Sequence, residues 1–187
     1  MLEAVTIGGL VFINQGRHSG WIEVVCGPMF SGKTEELIRR LRLSMIVKQS
    51  VEIFKPETDN RYEKEYIASH NKQKFKCTPV KTSARVLELI SDHTRVVGID
   101  EAQFFDEGIV GVCQKLANRG LRVIVAGLDQ DYMGRPFGPM PELLAIAESV
   151  SKLKAVCMVC GGLATRSQRL SDKKEQVVVG ALDHYEA

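Results

Sequence analysis

The sequence predicts an α/β protein: a parallel sheet with helices on both faces, followed by a small C-terminal unit. Three observations lead there. Short apolar runs alternate with helical stretches from about residue 21 to 150. A glycine-bearing loop, Gly27-Pro28-Met29-Phe30-Ser31-Gly32-Lys33-Thr34, joins the first run to the first helix. Beyond about residue 150 the texture changes to short segments around Cys157-Met158-Val159-Cys160-Gly161-Gly162.

The elements follow in order. Residues 1–20 are weakly patterned and read as an irregular arm. Trp21 to Cys26 reads as a strand, and Glu35 to about Val47 as a helix with Leu37, Leu41 and Met45 on one side. Val51 to Phe54 is a second strand, ending at Lys55-Pro56. Glu57 to Lys74 is polar and charged, with Asp59, Arg61, His70 and Asn71, and its length suggests a mobile, functional loop. Phe75 to Val80 is a short strand. Ser83 is placed to cap a helix holding Val86, Leu87 and Ile90. Val96 to Asp100 is a buried strand ending in acid. Phe105 to Asn118 is a helix, with Gly120 placed to stop it. Leu121 to Leu128 is another buried strand, and Pro141 to Val150 another helix. Leu163 to Leu170 and Gln176 to Val179 read as a hairpin around residues 171–174. The implied units are an arm over 1–20, an α/β nucleotide-binding body over 21–150 and a C-terminal unit over 151–187.

Composition excludes several classes. With 187 residues and 44% hydrophobic content, the chain suits a packed core rather than disorder. A net charge of +2 gives no electrostatic case for nucleic acid. The apolar opening from Val5 to Ile13 is too short to span a bilayer, and Glu3 replaces the basic lead of a secretory signal. Five cysteines are an odd number, which argues against a secreted disulfide framework and for a reducing cytoplasm.

The loop from Gly27 to Thr34 spells G-x-x-x-x-G-K-[ST] between a strand and a helix, the context in which that pattern binds phosphate. Glycines let successive amides turn inward around an anion, and the helix N-terminus adds positive potential. Lys33 is placed to reach the β- and γ-phosphates, and the Thr34 hydroxyl to ligate Mg²⁺. Ligands of such sheets bind at the carboxyl ends of the strands, where Cys26, Asp100 and Leu128 each close a run. Asp100 is suited to hold Mg²⁺, and Glu101 beside it to take a proton from an attacking oxygen. The nucleophile stays open on these grounds: water gives an ATPase, a bound hydroxyl gives a kinase. A guanine-reading Asn-Lys-x-Asp string is missing, since Asn71-Lys72-Gln73-Lys74 fails at its last position.

Four segments together resemble the zinc-containing, tetrameric cellular thymidine kinases. They are Ile22 to Thr34, Gly98-Ile99-Asp100-Glu101-Ala102-Gln103-Phe104-Phe105, Gly127-Leu128-Asp129 through Arg135-Pro136-Phe137-Gly138, and Cys157-Met158-Val159-Cys160. The resemblance runs from about Gly20 to the end of the chain. It implies a P-loop, RecA-like sheet with a zinc-ribbon and lasso unit. It further implies transfer of the γ-phosphoryl of ATP to the 5′-hydroxyl of thymidine, with Mg²⁺ accompanying ATP. By this resemblance Glu101 is the base, Arg61 steadies charge on the transferring group, and Gln103 lines the phosphate site with the 27–34 loop and Asp100. Met29, Phe104, Leu128, Tyr132, Phe137, Ser167 and Tyr185 form the thymidine pocket, closed by a lasso from Val179 to Tyr185. Without the resemblance, Phe104, Leu128 and Phe137 read as ordinary core residues. A homotetramer, a cytoplasmic location and restraint by thymidine triphosphate are implied in the same way.

The chain departs from the family at its metal site. Cys157 and Cys160 supply half of a tetrahedral zinc site. The second pair that the family places after the lasso is not in the sequence, so a tail beyond Ala187 or a lost metal is expected. Cys26, Cys77 and Cys113 read as buried apolar residues instead. A redox role for the Cys157/Cys160 pair is disfavoured, because the pair does not open a helix. Two other functions compete with the kinase: a P-loop ATPase or switch using water, and an ATP-binding zinc-ribbon module for nucleic acid.

Overall fold

The computed structural model describes residues 3–7, 10–14, 19–58, 66–68, 74–170 and 185–187. It opens with an antiparallel pair, β1 (Glu3–Ile7) and β2 (Leu10–Asn14), where an irregular arm was expected. Then come β3 (Trp21–Cys26), α1 (Lys33–Ile46), β4 (Val51–Pro56), β5 (Tyr66–Ala68), β6 (Lys74–Lys76), β7 (Thr78–Val80) and α2 (Ala84–Leu89). β8 (Val96–Ile99) leads through a 3₁₀ turn (Ala102–Phe104) into α3 (Gly108–Asn118), followed by β9 (Arg122–Gly127), α4 (Met140–Ile146) and β10 (Ser149–Lys152). Four two-residue strands close the described chain: β11 (Ala155–Val156), β12 (Leu163–Ala164), β13 (Gln168–Arg169) and β14 (Tyr185–Glu186).

Six strands form one sheet in the order β10-β3-β9-β8-β4-β7, and every neighbouring pair is parallel. Because side chains alternate along a strand, each buried strand feeds two cores. Val24, Cys26, Val97, Ile99, Val123 and Val125 pack with Val86, Ile109, Cys113, Leu116 and Leu143 of α2, α3 and α4. Ile53, Val96, Ile124 and Ala126 pack with Leu37, Ile38 and Leu41 of α1 on the opposite face. The expected parallel sheet covered on both faces is therefore present. Gly98 sits where α1 crosses the sheet: a Cβ there would lie 2.9 Å from Leu41 Cδ1.

Several expectations are corrected. Met45 is half exposed, and α1 instead buries Leu37, Ile38, Leu41, Arg40 and Ser44. The stretch from 57 to 74 contains β5, paired antiparallel with β6; Asp59, His70 and Asn71 lie outside the described residues. The run from Phe75 to Val80 is split at Cys77, the first part joining β5 and the second extending the main sheet beside β4. Ser83 does not cap α2 with its side chain. Its hydroxyl donates to Asp106 Oδ1 at 2.6 Å, and Asp106 also accepts the amides of Ser83 and Gly108. Asp106 thus ties the start of α2 to the start of α3, which begins at Gly108 rather than Phe105. Gly120, at φ 86°, follows α3 as expected.

The helix expected to reach Val150 stops at Ile146, because the edge of β3 captures the residues after it. The Glu148 amide donates to the Ile22 carbonyl at 3.0 Å, and the Ile22 amide donates back to the Glu148 carboxylate at 2.7 Å. β10 then pairs along Glu23 to Cys26 and carries the sheet to Lys152. The single run expected from Leu163 to Leu170 is divided: β12 pairs with β11, and β13 with β14. Residues 176–179, the hairpin's expected partner, lie outside the described residues.

Candidate active site

The carboxyl ends of β3, β8 and β9 converge, and the segments leaving them meet. After β3 the chain turns through Gly27 at φ 142°, Phe30 at φ 63° and Gly32 at φ 85°. Gly27 is required on steric grounds as well, since a Cβ there would stand 2.5 Å from the Leu153 carbonyl oxygen. The Pro28 carbonyl accepts from Ser31 Oγ at 2.8 Å and from Lys33 Nζ at 2.7 Å, drawing the loop into a closed ring around its own backbone. α1 begins at Lys33, so its N-terminal amides and positive dipole end face this loop.

Across from the loop, Asp100 follows β8 and is 5% exposed. Thr34 Oγ1 donates to Asp100 Oδ2 at 3.3 Å, and the Glu101 amide donates to Asp100 Oδ1 at 3.0 Å. The hydroxyl and carboxylate that converge here are hard oxygen donors, and they suit Mg²⁺, which takes one or two protein oxygens and completes its shell with phosphate and water. Glu101 itself holds a left-handed backbone, φ 51° and ψ 43°, at the entrance to the 3₁₀ turn. Such a conformation is costly for a residue with a side chain and recurs at functional sites.

Gln103 is buried and spans the gap to the next strand. Its Nε2 donates to Glu101 Oε2 at 2.6 Å, while its Oε1 accepts the Leu128 amide at 2.9 Å. An N–H of the main chain faces one end of the amide, so the amide's own donors are turned toward the Glu101 carboxylate. Phe104 meets Phe137 edge-to-face with centroids 5.6 Å apart. Phe105, not Phe104, enters the core of the α2–α4 face; Leu128 and Phe137 are buried as well, outside the two main core clusters. The Met29 amide donates to Ser167 Oγ at 2.8 Å, joining the 27–34 loop to the C-terminal segments. Tyr132 and Tyr185 are brought together through a residue that sequence reasoning passed over: the Arg169 guanidinium stacks 3.7 Å from the Tyr132 centroid and donates to Tyr185 Oη.

Two acids after β9 were also missed. Asp129, buried, forms an ion pair with Lys152 at 2.7 Å across the end of β10; the hydrogen bond that Lys152 donates to Asp129 raises the Lys152 pKa above its ordinary value. Asp131 Oδ1 accepts the amides of Met133 and Arg135, which shapes the turn carrying Tyr132. An acid two or four residues past an apolar strand is the signal that could have found them, as an acid directly after β8 revealed Asp100. Arg61 and the expected lasso from Val179 to His184 lie outside the described residues.

Cys157 and Cys160 form a tight knuckle: the Cys157 amide donates to the Gly162 carbonyl at 2.8 Å, and the Gly161 amide to the Cys157 carbonyl at 2.9 Å. The amides of Cys160 and Val159 and the Cys160 side chain hold the Cys157 pKa below the usual thiol range. Among the described residues no third His, Cys, Asp or Glu joins them, so these residues alone do not complete a zinc site. Cys26 and Cys113 behave as the sequence predicted. Both are buried, with burial the leading cause that pushes Cys26 up to about 11 and Cys113 up to about 12.

Comparison with known proteins identifies the family. A profile of the family described as thymidine kinase matches residues 20–187. A thymidine kinase of Rhodothermus sp. (strain ITI 518) is 57% identical over 176 residues, covering 94% of this chain and 82% of that protein. A thymidine kinase of Bacteroides thetaiotaomicron is 53% identical over 174 residues, covering 93% and 87%. The chain belongs to the thymidine kinase family. Membership carries the enzyme class, an ATP-dependent kinase, and decides against both the water-using ATPase and the nucleic-acid module. No helix among the described residues is long and apolar enough to cross a membrane.

Proposed function

We propose that the chain transfers the γ-phosphoryl of ATP to the 5′-hydroxyl of thymidine, giving thymidine monophosphate and ADP. The observation that carries the reading is the meeting of the segments that leave β3 and β8: Thr34 and Asp100 touch, and Glu101 stands beside them, bridged by Gln103 to Leu128. In this reading the amides of residues 27–34 and Lys33 hold the triphosphate. Thr34 and Asp100 would hold Mg²⁺, which when bound neutralises phosphate charge. Glu101 accepts the proton as the O5′–H bond breaks. O5′ then bonds to the γ-phosphorus, and the bridging oxygen leaves with its electron pair on ADP. The transition state is loose, so positioning and electrostatics supply most of the catalysis. Arg61 is assigned to the transferring group.

Met29, Phe104, Leu128, Tyr132, Phe137, Ser167 and Tyr185 are assigned to thymidine, with flat rings against the pyrimidine. The same reading carries Gln103 as a liner of the phosphate site, feedback by thymidine triphosphate, a homotetramer and a cytoplasmic location. It also carries a structural zinc, to which the Cys157/Cys160 knuckle contributes two thiolates, and a separate unit over residues 151–187.

A coupled assay tests the reaction. ADP release should require thymidine, and Glu101→Gln should retain Mg·ATP binding while losing about 10²–10⁴-fold in kcat. Turnover unchanged in that variant removes Glu101 from the role of base.

A further inference from the structure

The segment from Ser167 to Arg169 touches three parts of the site. Ser167 Oγ takes the Met29 amide of the phosphate loop. Arg169 lies two residues on, in β13. β13 pairs with β14 so that Arg169 stands opposite Tyr185 in register. From there its guanidinium lies 3.7 Å from the Tyr132 centroid and 5.3 Å from that of Tyr185, while Nη2 and Nε donate to Tyr185 Oη at 2.7 and 3.2 Å.

Tyr132 rides on a turn that is fixed locally. Asp131 Oδ1 accepts two of its amides, the Gly134 amide donates to the Asp131 carbonyl at 3.0 Å, and the Asp131 amide donates to the Arg135 carbonyl at 2.9 Å. Those bonds set the backbone but leave the ring's rotamer to its contacts. The planar guanidinium is well suited to fix that rotamer, because it stacks on one ring through its face and reaches the other ring's hydroxyl through its edge.

We propose that Arg169 is a positioning residue of the nucleoside pocket, clamping Tyr132 to Tyr185 so that the two rings stand at a fixed separation before substrate arrives. The proposal rests on the assignment of Tyr132 and Tyr185 to thymidine. Without the clamp, both rings must be ordered by the incoming base, and that entropy is charged to thymidine binding alone. The ATP loop and Glu101 are held by other bonds.

Steady-state kinetics of the wild type, Arg169→Met, Arg169→Lys, Tyr185→Phe and the Arg169→Met/Tyr185→Phe pair test it. Arg169→Met should raise the thymidine KM about tenfold while the ATP KM and saturating kcat stay within about twofold. Lysine, which can donate to Tyr185 but cannot stack flat, should recover only part of the loss. The double variant should be no worse than Arg169→Met, because both changes remove one shared contact. An unmoved thymidine KM in a folded Arg169→Met protein overturns the clamp. So does a fall in kcat with KM unchanged, or multiplicative losses in the double variant. If Arg169→Met does not fold, the Lys and Tyr185→Phe variants carry the same comparison. Absence of thymidine-dependent turnover in the wild type would remove the thymidine assignment and the clamp together. Normal wild-type turnover with no KM change would remove the clamp alone.

Discussion

Replacing Glu23 with Gln should cost the protein about 3 kcal/mol of stability, the range for removing one partner of a buried ion pair. The magnitude follows from its surroundings. Glu23 is 5% exposed on the α1 side of β3. Its Oε2 accepts from Arg40 Nη1 at 2.7 Å, and its Oε1 from Arg122 Nε at 2.6 Å and Trp21 Nε1 at 2.7 Å. Arg40 is itself 2% exposed, and it keeps Glu36 and Ser151 after the change. Arg122 keeps Ser44. Gln preserves the shape but removes the charge that two enclosed guanidiniums face. In a domain of this size, 3 kcal/mol corresponds to a fall of about 6–12 °C in Tm.

The pH dependence has a defined sign. Burial raises the Glu23 pKa, but the hydrogen bonds and charges of Arg122, Trp21 and Arg40 outweigh it, so the folded value lies below the ordinary 4.5. Glu36 is lowered in the same manner by Arg39 and Arg40, against the opposing effect of burial. A depressed carboxylate stabilises above its unfolded pKa, and that contribution is lost as pH falls through the folded one. The stability gap between wild type and Glu23→Gln should therefore be full at pH 7 and shrink below pH 4.5. Urea denaturation at pH 7 and at descending acid pH measures both. A difference under about 0.5 kcal/mol at pH 7, the size of an ordinary surface substitution, would refute the reasoning. Glu23 lies three residues before the end of β3, about 10 Å from the 27–34 loop, so activity per folded molecule should be unaffected.

Other outcomes follow from the same structure. Lys33→Ala should weaken Mg·ATP binding far more than thymidine binding by calorimetry; equal losses would indicate unfolding rather than a missing phosphate contact. Gly98→Ala places a methyl 2.9 Å from Leu41 Cδ1 and should destabilise by about 1–3 kcal/mol, with partial recovery in Gly98→Ala/Leu41→Val. Iodoacetamide at pH 8 should alkylate Cys157 well before Cys113, because local amides lower the former and burial raises the latter to about 12. Peptide mapping that finds Cys113 modified first would contradict both shifts.

What the sequence made legible was what is encoded locally. The 27–34 loop declares itself because its glycines and its Lys-Thr pair must be adjacent in the chain to work. β8 and β9 are buried on both faces, so they read as unbroken apolar runs. β10 has the composition Ser-Val-Ser-Lys and lies at a sheet edge, where burial does not impose such a run; the sequence pattern assigns its first two residues, Ser149 and Val150, to the tail of a helix. Its pairing comes from the exposed edge of β3, a tertiary effect that no local pattern records. The Glu23–Arg40–Arg122 network was equally hidden, since charges on a strand or helix read as solvent-facing until the fold encloses them. The site divides the same way. Asp100 and Glu101 were visible at the end of an apolar strand, whereas the bridging geometry of Gln103 and the stack of Arg169 between two tyrosines depend on segments distant in the chain.

The most direct test of the central claim is transfer of label from γ-³²P-ATP, with thymidine and Mg²⁺ present. The account predicts ³²P in thymidine monophosphate, with none released as inorganic phosphate beyond background. Label appearing as inorganic phosphate at the same rate with or without thymidine would contradict it.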